Sequence, residues 1–165
     1  MKPFVRRWLI GVSLGIMISC GVFFGNRYLH RNDKYARVAK VVGVDVNEWA
    51  EINRVYDRAA KEHDLSDYEF SEIETWLKDK NQEVSIRALV AMRPCEGEKS
   101  HARAIALTRQ CLADASPNLR RKAITGLAIL KDPQLKADVS GFLQDQDDSI
   151  RFAASDALGL KPHGR

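Results

Sequence analysis

The sequence predicts an all-α protein. It reads as a short α-solenoid (an αα superhelix) of about three helical pairs plus an N-terminal capping helix, preceded by a transmembrane helix. Three observations carry this expectation: a segment that recurs three times, helix-capping signals that bracket each recurrence, and an uncharged run near the start.

The recurrence begins with Leu77-Lys78-Asp79, Leu112-Ala113-Asp114 and Leu143-Gln144-Asp145. Counting from each Asp, position +5 holds Val84, Leu119 and Ile150. Position +9 holds Ala88, Ala123 and Ala154, and position +13 holds Met92, Leu127 and Leu158. The Asp residues lie 35 and then 31 positions apart. A period of that size belongs to stacked supersecondary units. Offsets of four residues fall on one helix face, and an Ala in the middle of that face admits a close neighbour. At +6 stand Arg120 and Arg151, with Ser85 in the first unit. Each Asp is expected to be held by turn amides and by the Arg of an adjacent unit. Asp79, Asp114, Arg120, Asp145 and Arg151 would then form a structural ladder, incomplete at Ser85.

At these residues the chain resembles the HEAT repeat family, in particular the short HEAT-like repeats of the phycobilisome lyase type. The Leu-x-Asp turn, the aliphatic residue at +5, Arg at +6 and Ala at +9 carry the resemblance, over about residues 66–160. It implies a fold more firmly than a function, because such repeats serve scaffolds, adaptors, enzyme accessory proteins and some enzymes.

The elements follow in order. Residues 1–7 are a basic tail, and residues 8–25 carry no charge, long enough to cross a bilayer. Lys2, Arg6 and Arg7 precede this run, and Arg27, Arg31, Lys34, Arg37 and Lys40 follow it, with Trp8 and Tyr28 as interface residues. An uncleaved anchor is the favoured reading. A cleaved signal would need a better small-residue site than Ser19-Cys20-Gly21. A lipoprotein signal would need the apolar run to stop at Cys20, whereas Val22-Phe23-Phe24 continues it. Gly11, Gly15 and Ser19 are spaced for close helix approach. Residues 26–44 read as a basic juxtamembrane linker, and residues 45–160 as the repeat domain.

Within that domain, Asp45 opens a helix over about 46–62 striped by Trp49, Ile52, Tyr56 and Ala59. It has no repeat partner and is expected to cap the first pair. Ser66 and Glu69 form a capping box. Asn81, Ser116-Pro117 and Asp132-Pro133 supply further helix starts. The predicted pairs are 67–78 with 82–93, 98–113 with 117–130, and 133–144 with 147–159. Residues 161–165 are a short tail.

Charge separates the two parts. The whole chain has 26 Lys and Arg against 22 Asp and Glu, or +4. Residues 1–40 hold eight basic and one acidic residue, which leaves 18 basic and 21 acidic over 41–165. The excess therefore belongs to the membrane flanks, where it suits anionic headgroups. The repeat domain lacks the basic character of a nucleic-acid binder, so no nucleic-acid partner is expected. The count of basic residues on either side of the run slightly favours cytoplasmic repeats. A highly charged N-terminal tail resists translocation, so the exported side is narrowly preferred.

Catalytic patterns are absent from the sequence. The histidines His30, His63, His101 and His163 are scattered, and Glu62-His63-Asp64 falls at a helix end. No P-loop, Gly-rich fingerprint, nucleophile elbow or zinc spacing occurs. No cofactor or metal is expected, and a Cys95–Cys111 bridge would have to span most of a helix. The expected function is a membrane-anchored adaptor or scaffold without catalysis of its own. The resemblance implies an alternative, a lyase-like or enzyme accessory protein, to which no catalytic residue can be assigned. Arg87, Arg121, Lys122, Phe152 and Asp156 lie off the core face of the second helices and are the candidate protein-binding residues. Self-association is a further expectation, through the span or the open C-terminal edge near Phe152.

Overall fold

The computed structural model describes residues 35–160. The span at 8–25, its basic flank up to Lys34 and the tail at 161–165 lie outside the described residues. Among those described, every regular element is helical and no helix is long and apolar enough to cross a membrane. The chain divides into two compact units between Ala50 and Glu51.

In the first unit, residues 35–42 form helix α1. Tyr35 and Ala39, four apart, are its buried stripe. This helix occupies ground read from the sequence as linker, where Arg37 and Lys40 drew attention to charge and hid the apolar spacing. Gly43 ends it with φ +70°, and the Val44 N–H returns to the Ala39 carbonyl at 3.0 Å. That six-to-one bond needs a left-handed residue at Gly43. Asp45 then caps α2 (Val46–Glu62), accepting from the Asn47 and Glu48 amides at 2.9 and 3.1 Å. The unit boundary falls within α2.

The second unit contains the remainder of α2 and three helical pairs: α3 (Asp67–Trp76) with α4 (Gln82–Ala91), α5 (Glu98–Gln110) with α6 (Pro117–Ile129), and α7 (Leu135–Val139) with α8 (Asp148–Ala157). Helices α4, α6 and α8 pack successively on one another and form one layer, with α3, α5 and α7 alongside. Ile52, Val55 and Ala59 of α2 are buried, Tyr56 lies under Arg87 of α4, and Arg58 pairs with Glu69 of α3. This part of α2 is packed on the first pair.

The repeat register is the core register. Val84, Leu119 and Ile150 are at most 2 % exposed, and Ala88, Ala123 and Ala154 are fully buried. Met92 and Leu127 are buried, while Leu158 in the last unit is only half-buried. Gly126 adds a contact that the repeat pattern does not contain. A Cβ there would lie 3.2 Å from Thr108 Cγ2 on α5 and 3.7 Å from Leu89 on α4, so α6 approaches both helices closely.

The capping box at Ser66 and Glu69 is present, with Asn81 and Ser116 capping α4 and α6. The third pair differs from its expectation. Asp132 does not cap a helix at Pro133. Its side chain is instead fully buried, accepting from Arg109 of α5 and from the Gln134 N–H. Helix α7 starts two residues later, and at Ser140 the α-geometry tightens into a 3₁₀ segment, Ser140–Gln144. The Ser140 hydroxyl bonds back to the Lys136 carbonyl, and Gly141 adds no side chain to hold the turn, so the predicted 133–144 helix is broken.

Candidate functional site

The turns entering α4, α6 and α8 are built alike. Asp79, Asp114 and Asp145 each accept the amide two residues on, from Asn81, Ser116 and Asp147, at 2.6 to 2.8 Å. Those three residues are in turn the helix N-caps. The arginines at +6 do not reach the Asp of an adjacent unit. Arg120 Nη1 donates to the carbonyls of Asp114 and Ala115 at 2.9 and 3.0 Å, and Arg151 Nη1 to those of Asp145 and Gln146. Helical side chains point back toward the N-terminus, so a long residue in the second turn lands on its own entry turn, whose carbonyls lack helical partners. Ser85 makes the equivalent bond, from its hydroxyl to the Asp79 carbonyl at 3.3 Å. The motif is therefore complete in all three units and internal to each. The link between units runs through another residue. Asp147 is held below the usual carboxylate range, first by the Ser149 hydroxyl, then by the Ser149 amide, with a smaller contribution from Arg120 of the preceding unit.

The candidate binding residues separate into two places. Arg121 and Lys122 of α6 and Phe152 and Asp156 of α8 line one open groove of about 530 Å³, together with Thr125 and Asp148. Phe152 is 65 % exposed, a large aromatic ring presented to solvent. Among the described residues neither Arg121 nor Lys122 is in an ion pair, and the Arg121 Nε is buried without an acceptor. The groove thus mixes two cations, two acids and an aromatic, rather than forming a uniformly basic strip. Arg87 does not line it. Its guanidinium lies 4.5 Å from the centre of the Tyr56 ring. The sequence puts Arg93 at the end of a helix over 82–93, whereas α4 ends at Ala91 and Arg93 lies in the turn that follows.

No group of three or more metal-ligating side chains forms among the described residues. Cys95 and Cys111 are buried and unbridged. Burial pushes their thiols up to about 12 and about 11, so both are weak nucleophiles. His101 Nδ1 donates to the Cys95 carbonyl at 2.9 Å, which ties α5 to the loop before it.

A family model of HEAT repeats matches residues 71–159, more than half of the chain. The chain belongs to the HEAT repeat family. The match spans the three pairs from within α3 to the end of α8, so the Asp-turn units are HEAT repeats. It carries the repeat family and not the lyase-type subgroup. No curated protein and no solved structure matches the chain. HEAT repeats generally mediate protein interactions.

Proposed function

We propose that this HEAT repeat protein is a membrane-anchored adaptor that binds a protein partner on the face of α4, α6 and α8 and performs no catalysis itself. The observation that carries the reading is the groove in which Arg121, Lys122, Phe152 and Asp156 converge. Charged groups outside ion pairs favour a partner of opposite charge and set its register. An exposed aromatic ring is the kind of anchor that supplies much of the energy of an interface. The uncharged run at 8–25 with its basic flanks supports the anchor, and in this reading the repeats lie on the exported side. Holding a short adaptor at a bilayer raises its local concentration toward partners on the same membrane.

The test is capture from detergent-solubilised membranes. Arg121→Glu, Lys122→Glu and Phe152→Ala combined should abolish it. Helicity and melting temperature should stay close to wild type, since substitutions away from packed or paired groups usually change stability by about 0.5 kcal/mol or less each. Capture should weaken with salt, as screening cuts the reach of exposed charges to about 8–10 Å near physiological ionic strength. Equal capture by the triple variant rejects the groove as the docking site.

A further inference from the structure

Helix α1, in the first unit, has an exposed face outside the groove. Arg37, Val38, Lys40 and Val41 are exposed, while Tyr35 and Ala39 are buried. Positions i, i+1, i+3 and i+4 lie along one side of a helix, so the four residues form a single strip. Val41 is 86 % exposed and Val38 46 %, and no other large apolar side chain among the described residues is as open as Val41. The strip does not belong to a frayed end. Gly43 closes the helix in a left-handed turn, and Val44 just beyond it is buried. A single exposed valine is ordinary. Two on one strip with two cations suit a boundary that is apolar on one side and anionic on the other. Arg and Lys can lay their apolar stems along acyl chains and keep their charge among the headgroups.

Charge and chain length name the occupant of this strip. Residues 26–44 hold Arg27, Arg31, Lys34, Arg37 and Lys40 against the single acid Asp33. Lys and Arg gathered beside an uncharged run attract anionic lipid. An acidic protein would satisfy the same charges, but position decides for the bilayer. Only residues 26–34 separate the uncharged run from α1. The chain from Gly25 to Tyr35 spans at most about 35 Å. A run that crosses the bilayer therefore keeps α1 within reach of the headgroups. Two valines and two cations would hold a free helix on a membrane only weakly. Tethered beside the surface, the same helix binds as an intramolecular step at high effective concentration.

Resting on the membrane-anchor reading, we infer that α1 is an interfacial helix. Its strip of Arg37, Val38, Lys40 and Val41 docks on a bilayer containing anionic phospholipid, with the valines toward the acyl chains and the cations at the phosphates. The attraction needs anionic lipid in the leaflet that faces the repeats, whichever side of the membrane that is. Docking turns ground read from the sequence as linker into a second attachment, which restricts how far the chain can swing away from its anchor.

The test follows position 41 in the full-length protein. Cys20→Ser and Val41→Cys leave one reactive thiol for a nitrobenzoxadiazole dye, since Cys95 and Cys111 are buried and weakly nucleophilic. The labelled protein is reconstituted into vesicles of phosphatidylcholine, alone or mixed with phosphatidylglycerol. In the mixed vesicles, lipids with a nitroxide at headgroup level should quench the dye at least about twofold more than in neutral vesicles, and aqueous iodide should quench it less. Added salt should reverse much of this, and so should Arg37→Gln combined with Lys40→Gln, with circular dichroism checking the fold of that variant. Nitroxide quenching that persists unchanged in neutral vesicles and in the double variant is insertion by the dye itself, and overturns the proposal. So does shielding from iodide without nitroxide quenching, which puts protein, such as a second copy, over the valines. Free iodide quenching in both kinds of vesicle, in protein that survives a carbonate wash, overturns docking and leaves the anchor standing. Protein that washes off defeats the anchor reading and docking with it.

Discussion

Asp147 and Asp132 show two ways in which one carboxylate can serve a repeat. Asp147 caps α8 from the surface, accepting from the Ser149 amide at 2.8 Å and from its hydroxyl at 2.7 Å. These bonds favour the charged form and depress its pKa relative to the unfolded chain. Such a group contributes stability that is fully present above its unfolded pKa and is lost as pH falls through the folded value. The window lies below about pH 4. Asp147→Asn keeps a capping side chain but does not titrate. Thermal melts at about pH 5 and about pH 3 should therefore show a smaller acid-induced loss for the variant than for wild type. Asp132 is the buried case, fully enclosed and held by Arg109, whose Nε also lies 2.7 Å from Asp138. Arg109→Met would strand a buried charge, and the expected loss is about 3 kcal/mol in urea unfolding at neutral pH. Adding Asp132→Asn should recover part of it. If Arg109→Met alone is neutral, Asp132 is not held as a buried ion. Both roles were only half legible in sequence. A cap before a proline looks the same whether the residue opens a helix, like Ser116, or turns inward to an arginine 23 positions earlier, like Asp132.

At the scale of the helix, the apolar register was readable, because positions +5, +9 and +13 recur on one face and burial follows them everywhere but at Leu158. Side-chain direction was not. The arginines at +6 were expected to bridge units, yet the backward tilt of helical side chains sends them to their own turn. The 3₁₀ break at Ser140 escaped for a related reason, since Val139, Phe142 and Leu143 keep a helical spacing while a serine and a glycine loosen the backbone between them. Ala123 and Ala154 have no exposed surface. Ala123→Leu or Ala154→Leu should cost about 1–3 kcal/mol through overpacking, read as a shift of the urea midpoint. The effect should be smaller at Ala154, whose neighbour Leu158 is half-buried and can yield. Unchanged midpoints in both variants would refute the register.

At the scale of the whole molecule, the repeat domain and the run at 8–25 make separate demands. The domain has its own core of fully buried apolar side chains from Ile52 to Ile150. A chain lacking residues 1–34 should be soluble, helical and cooperatively melting, while the full-length protein should stay with membranes through a carbonate wash. Release of an intact, shortened chain into the soluble fraction would replace the anchor with a cleaved signal. The candidate binding residues were legible only in part, for one reason. Phe152, Arg121 and Lys122 stand on helices whose stacking the repeat predicts, whereas Arg87 is turned onto Tyr56, which comes from outside the repeats.

Each entry turn is closed by its own aspartate, its own cap and its own residue at +6, serine or arginine. What passes between units at the core is mostly generic, an alanine face against an aliphatic one. A segment with these properties is a transferable block. It can be duplicated or exchanged between arrays while the polar bonds of its turn travel with it, and only the ion pairs of Arg103 and Arg109, which reach into the neighbouring pairs, have to be matched. Arrays built this way can alter their length and their binding face by copying, faster than by refining one residue at a time.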